Sequence, residues 1–443
     1  MQNLLSENNR KSRIFYFSLK DEQIRDEKIR WFSSAKFDSI PFEHIAPDQK
    51  RNWINLTNND FDRLVPLVDK DVKAGKSEAA IFQLFSSGVK TQRDEWVYGF
   101  SKEHLSDRMK YFVDVYEHKR KTSEAIDLDI KWDQELISYL DRGISKKFEE
   151  ACIQSSLYRP FTKMCLYFDK HFNGRTYQWF NILKEDKQNR FISLPGIGSS
   201  KPFQCLSTNE VTCLDFLEKT QCLPLYRYDE DGNRIDNITD WGLQQFQQHY
   251  SDTTITKENI FHYTYAVLHN PDYRSKYELN LKREFPRLPF YPDFDRWVNW
   301  GKQLMNLHIN YETVEPFGLE LVEIKTTKTN PKAKLKADKT TGTIYLDDST
   351  QLEGIPTEAW NYKLGNRSAL EWILDQYKEK KPKDPTIAAK FNTYRFADYK
   401  DQVIDLLQRV CTVSIETLKI IEQLKQANTA PATPAQTKPH KQP

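Results

Sequence analysis

Three stretches of the sequence place cationic side chains beside amides, hydroxyls and aromatic rings. The first is the central loop, residues 84–96 (LFSSGVKTQRDEW); the second begins at YRPF and the third lies in YKLGNRS. Lys and Arg neutralise phosphates, Asn and Arg pair with base edges, and Tyr stacks on bases. These residue types are therefore candidates for contact with DNA. The candidate contact residues are Lys90, Thr91, Arg93, Arg159, Asn173, Arg175, Lys363, Asn366 and Arg367.

Structural roles would account for the same residues. The central loop has the composition of a solvated turn between apolar anchors, in which Gly88 permits a positive φ. YRPF is also typical of a sheet edge, and GNRS of a cap for the helix that begins at Ser368. From composition alone, both interpretations stay open.

A second hypothesis is a magnesium-dependent nuclease. Asp293, Glu323 and Lys325 have the residue types of such enzymes, in which carboxylates hold Mg²⁺ and a lysine assists the attacking water. However, residues 297–309 have the periodicity of a helix rather than of the expected hairpin. Alternation in LELVEIKTT is also sufficient to turn Glu323 and Lys325 towards solvent.

Other catalytic motifs have simpler explanations. Asn270-Pro271-Asp272-Tyr273 resembles the N-P-P-Y motif of adenine methyltransferases, but Asn270 and Pro271 also fit a helix cap and first turn. GIGSSK (196–201) lacks the spacing of a phosphate-binding loop, which favours a β-turn. The sequence has no glycine-rich loop for S-adenosylmethionine, and its histidines and six cysteines are scattered.

Periodicity predicts alternating helical and strand-rich regions. We expect a strand at 12–19, a helix at 21–32, helices after Ser101 and around 132–140, and short strands from about 156 to 228. Further helices are expected at 239–250, 256–270, 271–285, 294–310, 368–380 and 398–424. Two strands separated by a lysine-rich segment (330–341) precede the last two of these helices.

Composition constrains the setting of the protein. The 443 residues carry 65 basic and 63 acidic side chains, so a DNA-binding surface must concentrate its cations locally. The sequence contains neither a signal peptide nor an apolar run of membrane-spanning length, which predicts a cytoplasmic protein. Residues 426–443 are poor in apolar residues and rich in Pro, Thr, Ala and Gln, and are predicted to be disordered.

Several long segments resemble, in order, the C-terminal part of type ISP restriction-modification enzymes. They include GVKTQRDEW, SLYRPFTKMCLYFD, IFHYTYAVLHNPDYRSKYELNLKREFPRLPF and YKLGNRSALEWILDQY, and the resemblance covers roughly residues 12–425. Members of this family join a nuclease, a helicase motor and an adenine DNA methyltransferase to a target-recognition domain. The cofactor loop, N-P-P-Y, helicase and nuclease motifs of a complete enzyme are missing from this sequence.

The resemblance implies a mixed α+β fold. Residues 1–78 would be a short α/β tail of a methyltransferase fold and its connection, residues 79–425 a mixed α+β target-recognition domain, and residues 426–443 the disordered tail. In this arrangement Lys90, Thr91 and Arg93 would lie near the DNA backbone or the flipped-base junction.

The implied function is sequence-specific recognition of duplex DNA in an adenine methylation and restriction system used in phage defence. Catalysis would require a methyltransferase core and the helicase and nuclease parts, in the same chain or in trans. No cofactor is expected for this chain, since S-adenosylmethionine, ATP and Mg²⁺ would serve the complete enzyme. Besides the nuclease, the alternative is a structural docking module of the restriction complex.

Overall fold

Capping residues and amphipathic repeats account for the long helices. Ser101 Oγ accepts a hydrogen bond from His104 N, and Leu105, Met109 and Phe112 of the helix that follows are buried. The computed structural model describes residues 13–20, 23–47, 53, 57, 60–122, 124, 126–184, 187–324 and 331–427. Its α-helices are α1 Arg25–Ser34, α2 Lys70–Lys73, α3 Asp94–Val97, α4 Lys102–Lys121, α5 Gln134–Asp141, α6 Trp179–Ile182, α7 Asp240–Tyr250, α8 Lys257–His269, α9 Pro271–Lys276, α10 Glu278–Arg283, α11 Phe294–Ile309, α12 Ala369–Gln376, α13 Pro385–Lys390 and α14 Lys400–Gln426.

The strands are short and form several small sheets. They are β1 Ile14–Tyr16, β2 Glu43–Ile45, β3 Val65–Pro66, β4 Ser86–Ser87, β5 Tyr98–Gly99, β6 Ile153–Arg159, β7 Thr162–Tyr167, β8 Phe191–Leu194, β9 Leu206–Thr208, β10 Val211–Thr212, β11 Gln221–Pro224, β12 Tyr226–Tyr228, β13 Arg234–Asp236, β14 Arg287–Leu288, β15 Glu320–Glu323, β16 Ala333–Asp338, β17 Thr343–Asp347, β18 Thr350–Glu353, β19 Lys363–Leu364 and β20 Arg367–Ser368. Mixed α+β architecture is therefore confirmed.

Three four-stranded sheets organise the described residues. Their strand orders are β10-β6-β7-β5, β4-β11-β8-β9 and β15-β18-β17-β16. The pairing of β10 with β6 is parallel, whereas the other pairs in these sheets are antiparallel. Strands β4 and β5 bracket most of the central loop, so this loop connects two of the sheets.

Helices α8 and α11 pack so closely that their contact requires a glycine. A Cβ added to Gly301 of α11 would lie 1.8 Å from the backbone oxygen of His262 in α8. Helix α8 is buried on all sides from Ile260 to His269. Helix α14 lies against α11 and contributes Ile420 and Leu424 to the same core.

A second core lies between the β15–β18 sheet and helices α12 and α14. It contains Ile344 and Leu352 from the sheet, Ile373 from α12, and Val403 and Val410 from α14. Because α14 also contributes to the core beside α8 and α11, this single long helix holds the two cores together.

Residues 60–78 pack with the large body of the protein. Phe61 and Leu67 are fully buried in the core around α8, and β3 pairs with β14. Tyr277 donates a hydrogen bond from its hydroxyl to Asp60 Oδ1 at 2.8 Å. Residues 60–78 therefore share a core with elements from the later part of the chain.

Two expected elements differ in detail. The expected helix at 271–285 divides into α9 and α10 at Tyr277, whose φ of −111° and ψ of 19° are not helical. Within the lysine-rich segment expected at 330–341, residues 333–338 form β16 and pair with β17. The expected tail at 426–443 lies largely outside the described residues. Among the described helices, none is both long and apolar enough to cross a membrane.

Candidate nucleic-acid interface

The backbone of the central loop is held by strands on both sides. Gly88 N donates to Thr220 O at 3.0 Å, and Val89 N donates to Thr212 O at 2.8 Å. Gly88 does not have the positive φ expected from the sequence, and Gln92 adopts it instead at 62°. Glycine is required at position 88 for space, because an added Cβ would lie 2.4 Å from Cys213 O.

Arg93 is directed into the protein rather than towards solvent. Its Nη1 donates to Phe172 O at 2.7 Å, and its Nη2 forms an ion pair with Asp133, the N-cap residue of α5. Its side chain is only 1% exposed, and burial lowers the pKa of its guanidinium despite the neighbouring Asp133. Arg93 therefore joins the central loop to α5 and to the 169–175 turn.

Thr91 and Asn173 are also buried. Thr91 Oγ1 donates to Asp94 in the same loop. Asn173 Nδ2 donates to Tyr167 O and to Asp169 O, both at 2.8 Å. The three buried side chains Thr91, Arg93 and Asn173 build the local structure, so the prediction of direct DNA contact does not fit where the structure places them.

Lys90 and Arg175 lie next to each other and are exposed. Each backbone N donates to the other residue's carbonyl, at 2.9 and 2.8 Å. The Arg175 side chain is 64% exposed and lies 3.6 Å from a carboxylate oxygen of Glu135. The fold thus brings together two predicted contact residues that are separated by more than eighty positions in the chain.

A cavity of about 520 Å³ opens beside Lys90. The central loop forms one wall, residues 213–215 another, and Lys131, Lys383 and Asp384 complete the lining. Both of these lysines are exposed. They were not identified as site residues from the sequence, because each is distant from the central loop along the chain.

Arg159 lies at the end of the β6–β7 hairpin, close to the central loop. Its guanidinium carbon is 4.0 Å from the centroid of the Tyr158 ring, and its Nη1 lies 3.3 Å from Cys213 Sγ. Tyr158 in turn donates to Asp94 Oδ2 at 3.0 Å. The aromatic and cationic residues of YRPF therefore pack against the loop through Asp94 and Cys213, and Arg159 is partly buried.

The third predicted group lies on the β19–β20 hairpin. Its two-residue turn has Gly365 at φ 69°, with Asn366 following. Lys363 is exposed, while Arg367 pairs with Asp375 at 2.9 Å and lies over the Trp372 ring at 5.0 Å. This hairpin therefore presents two cations and an amide from a rigid support.

Lys201 packs against this hairpin. Its Nζ lies 5.4 Å from the centroid of the Trp372 ring, and its Cδ would be 3.1 Å from a Cβ at Gly365. Burial lowers the pKa of Lys201, and the nearby positive charges of Arg367 and Arg159 lower it further. The GIGSSK segment was interpreted from sequence only as a turn, so the contribution of Lys201 to this cationic cluster was missed.

The nuclease hypothesis finds no assembled site in the described residues. Asp293 is the N-cap of α11 and accepts from Arg296 N, whereas Glu323 is exposed on β15. Lys325 lies outside the described residues. In the described part of the chain, no three His, Cys, Asp or Glu residues are placed to hold a metal ion together.

Asn270 is confirmed as a helix cap. Its side chain accepts from Asp272 N at 3.0 Å, Pro271 is the first residue of α9, and Asn270 itself is fully buried. The buried amide also donates to the Tyr291 hydroxyl at 3.2 Å. The resemblance to N-P-P-Y therefore reflects the local structure of a helix start.

Comparison with protein families identifies most of this chain. The model of the family described as Type ISP C-terminal specificity domain matches residues 80–406. The comparison with curated proteins gave no match.

Solved structures of DNA complexes are similar to this chain. In the cryo-electron microscopy structure of the DrdV–DNA complex, the similar chain is 46% identical with a TM-score of 0.82; the match covers 93% of this chain and 43% of that chain. A nuclease-deletion mutant of the Type ISP restriction-modification enzyme LlaGI, bound to a DNA substrate mimic, is 27% identical with a TM-score of 0.73 over 94% of this chain and 39% of that one. The ATP-dependent Type ISP enzyme LlaBIII bound to DNA is 28% identical with a TM-score of 0.74 over 86% of this chain and 26% of that one. The present chain thus spans less than half the length of each of these proteins.

Proposed function

Because the chain belongs to the Type ISP C-terminal specificity domain family, we propose that it recognises a specific sequence in duplex DNA for a restriction-modification system. The three similar structures are of proteins in complex with DNA or a DNA mimic. The proposed reader acts by binding, and the chemistry is carried out by other parts of the complete enzyme.

The observation that carries the proposal is the convergence of exposed or partly exposed cations from distant parts of the chain. Lys90 lines the cavity and is paired through its backbone with Arg175. Lys201 and Arg367 of the β19–β20 hairpin both lie over the Trp372 ring. Arg159 contacts Cys213 in the wall of the cavity, and its positive charge lowers the pKa of Lys201. With a formal net charge of only +2, such local concentration is what binding to a polyanion requires.

The members of this cluster divide into two roles under the proposal. Exposed Lys90, Arg175 and Lys363 are placed to neutralise phosphates, which sets position and affinity. Asn366 and Arg367 project from a hairpin turn, a shape that enters a DNA groove, and their side chains are able to pair with base edges. Buried Thr91, Arg93 and Asn173 support the loop that carries Lys90.

We further propose that the chain works with a methyltransferase core for adenine methylation and with helicase and nuclease parts. In this proposal S-adenosylmethionine, ATP and Mg²⁺ are bound by those other parts. The protein acts in the cytoplasm. The described N-terminal residues support a contact with such a core, because β1 and β2 form an isolated two-stranded sheet. Around them Phe15, Phe32 and Phe37 expose 55%, 78% and 76% of their surface.

Replacement of exposed cations tests the site. In Lys90→Gln/Arg175→Gln/Arg367→Gln, we expect affinity for the preferred duplex to fall by roughly 10-fold or more, since phosphate and base contacts are lost. The matched control is Lys70→Gln/Lys76→Gln/Lys425→Gln, which removes three exposed charges that line neither the cavity nor the hairpin. Fluorescence anisotropy with labelled duplexes measures both, and the two variants should unfold at similar temperatures.

Unchanged duplex affinity in the site variant would contradict the proposed interface. If that variant instead lost binding to an added methyltransferase core, a structural docking module would be the better account.

A further inference from the structure

Between the central loop and the β19–β20 hairpin runs a basic segment that sequence analysis did not identify. The lysine segment, residues 378–383 (KEKKPK), contains four lysines and one glutamate. It follows α12 directly and leads into α13. All four lysines are exposed.

Hydrogen bonds anchor the lysine segment near both of its ends. At the start, Tyr394 Oη donates to Tyr377 O at 2.7 Å, and Phe396 N donates to Glu379 Oε1 at 2.9 Å. At the end, Lys383 N and Asp384 N donate to the two carboxylate oxygens of Glu95, at 3.0 and 2.9 Å. These bonds hold the segment in one position relative to the rest of the fold.

The anchor at Glu95 also ties the segment to the central loop. Trp96 Nε1, the next residue in that loop, donates to Asp384 Oδ2 at 2.8 Å. On the other side, Asp375 pairs with both Arg367 and Lys380, at 2.9 and 3.7 Å. The lysine segment therefore lies between the two groups of the proposed interface and is bonded to each.

Three of its four lysines have no ion-pair partner among the residues that the structure describes. Within the described residues, Lys378, Lys381 and Lys383 form no ion pair, in contrast to Lys380. Lys383 lines the cavity beside Lys90, and Lys378 and Lys381 line an adjoining cavity of about 290 Å³. The two cavities are neighbours, because Asp94 and Glu95 line both of them. The three lysines therefore lie along one side of the central loop.

We propose that the lysine segment is a phosphate-binding strap that holds the backbone of duplex DNA alongside the central loop. This inference rests on the proposed DNA-reading function and adds a contact that is independent of base sequence. Three exposed ammonium groups on an anchored backbone suit the phosphates of a duplex. Release of counterions drives such binding, and little ordering of the protein backbone is needed. Glu95 positions the strap by holding its backbone, leaving the lysine side chains available.

The test compares Lys378→Gln/Lys381→Gln/Lys383→Gln with the control Lys70→Gln/Lys76→Gln/Lys425→Gln. Binding is measured for a preferred and an unrelated duplex over a range of salt concentrations, in the condition (chain alone or chain with a methyltransferase core) in which the unsubstituted chain binds. We expect the strap variant to lose roughly one to two orders of magnitude in affinity for both duplexes at moderate salt. The slope of log affinity against log salt should become shallower by about two to three, at roughly one per phosphate contact.

Three outcomes would overturn the inference. An unchanged affinity and salt slope in a variant that unfolds normally removes the strap while the DNA-reading function stands. A loss confined to the preferred duplex assigns these lysines to base recognition instead of phosphate binding. Absence of duplex binding by the unsubstituted chain in both conditions overturns the proposed function together with the strap.

Discussion

Arg93 illustrates how a residue with the right chemistry for DNA serves the protein interior instead. Its ion pair with Asp133 and its bond to Phe172 O leave it no face towards solvent. An arginine in a polar loop gives the same sequence signal whether it is exposed or buried. Arg93 is buried because the fold places Asp133 and the carbonyl of Phe172 beside its guanidinium, and the local sequence does not show this.

Arg93→Ala is expected to lower the free energy of unfolding by about 3 kcal/mol, because removing one partner leaves a largely buried charge unpaired. Denaturant unfolding measures the loss. Arg175→Ala is the control, since its side chain is 64% exposed and surface substitutions of this kind change stability by about 0.5 kcal/mol or less. An Arg93→Ala protein with full stability and lost DNA affinity would contradict the structural role and restore Arg93 as a contact residue.

The role of a residue could be predicted where it depends only on neighbours in the sequence. The cap at Asn270 needs only the next two residues, so the sequence was sufficient to assign it. Lys201 and Lys383 were missed for the opposite reason. Their partners, Trp372 and Glu95, are more than 150 positions away in the chain.

At the scale of elements, long helices could be predicted because their caps and apolar faces are contiguous in sequence. The helix after Ser101 and the helix before Asn310 are examples, and both appear as α4 and α11. The order of strands in the sheets could not be predicted. Strand β4, for instance, pairs with β11 across about 135 residues, and its two residues carry no strand pattern of their own.

Contacts between helices include buried histidines that the sequence pattern did not reveal. His308 on α11 bonds to the Tyr265 hydroxyl of α8 at 2.5 Å and to Thr417 Oγ1 of α14 at 2.9 Å. The Tyr362 hydroxyl lies 3.1 Å from the same imidazole. This arrangement ties three helices together through one neutral ring.

These histidines predict acid sensitivity. Burial lowers the pKa of His308 to about 3 and that of His262 to about 4, while His269 is also well below its ordinary value of 6.5. Below about pH 6.5 the unfolded chain therefore binds more protons than the folded one, so the free energy of unfolding falls as pH falls. Each such histidine contributes about 1.4 kcal/mol per pH unit.

Urea unfolding at a series of pH values between roughly 7 and 5 measures this slope. In His308→Gln we expect a shallower slope by about one proton, whatever the stability of that variant near neutral pH. His118→Gln is the control, because its ring is exposed. A slope unchanged by His308→Gln would show that this histidine does not become protonated on unfolding.

At the scale of the whole molecule, the resemblance of ordered segments was the strongest predictor. The family match covers residues 80–406, within the expected target-recognition domain of 79–425. Composition alone does not indicate a DNA-binding protein, since the charges of 65 basic and 63 acidic residues nearly cancel. Cation clustering arises from the fold, which places the central loop, the β6–β7 hairpin, the β19–β20 hairpin and the lysine segment side by side.

The proposed interface uses different residues for phosphate contacts and for contacts with base edges. Under the proposed function, the phosphate-directed lysines raise affinity for any duplex, whereas Asn366 and Arg367 on the hairpin turn supply preference for a sequence. Loss of the first group should weaken all binding, and loss of the second should relax preference. Sequence selectivity, rather than affinity, is therefore what distinguishes a reader of DNA sequence from a general DNA-binding surface.

The most direct measurement is a binding selection in which the purified chain is offered a randomised duplex library at near-physiological salt, with and without a Type ISP methyltransferase core. We predict enrichment of a single asymmetric motif, and enrichment that requires the core would mean that the site is completed across their contact. Arg367→Gln should lose the preference at one position of that motif while still binding duplex DNA. A library that emerges unenriched in both conditions would contradict the conclusion that this chain reads DNA sequence.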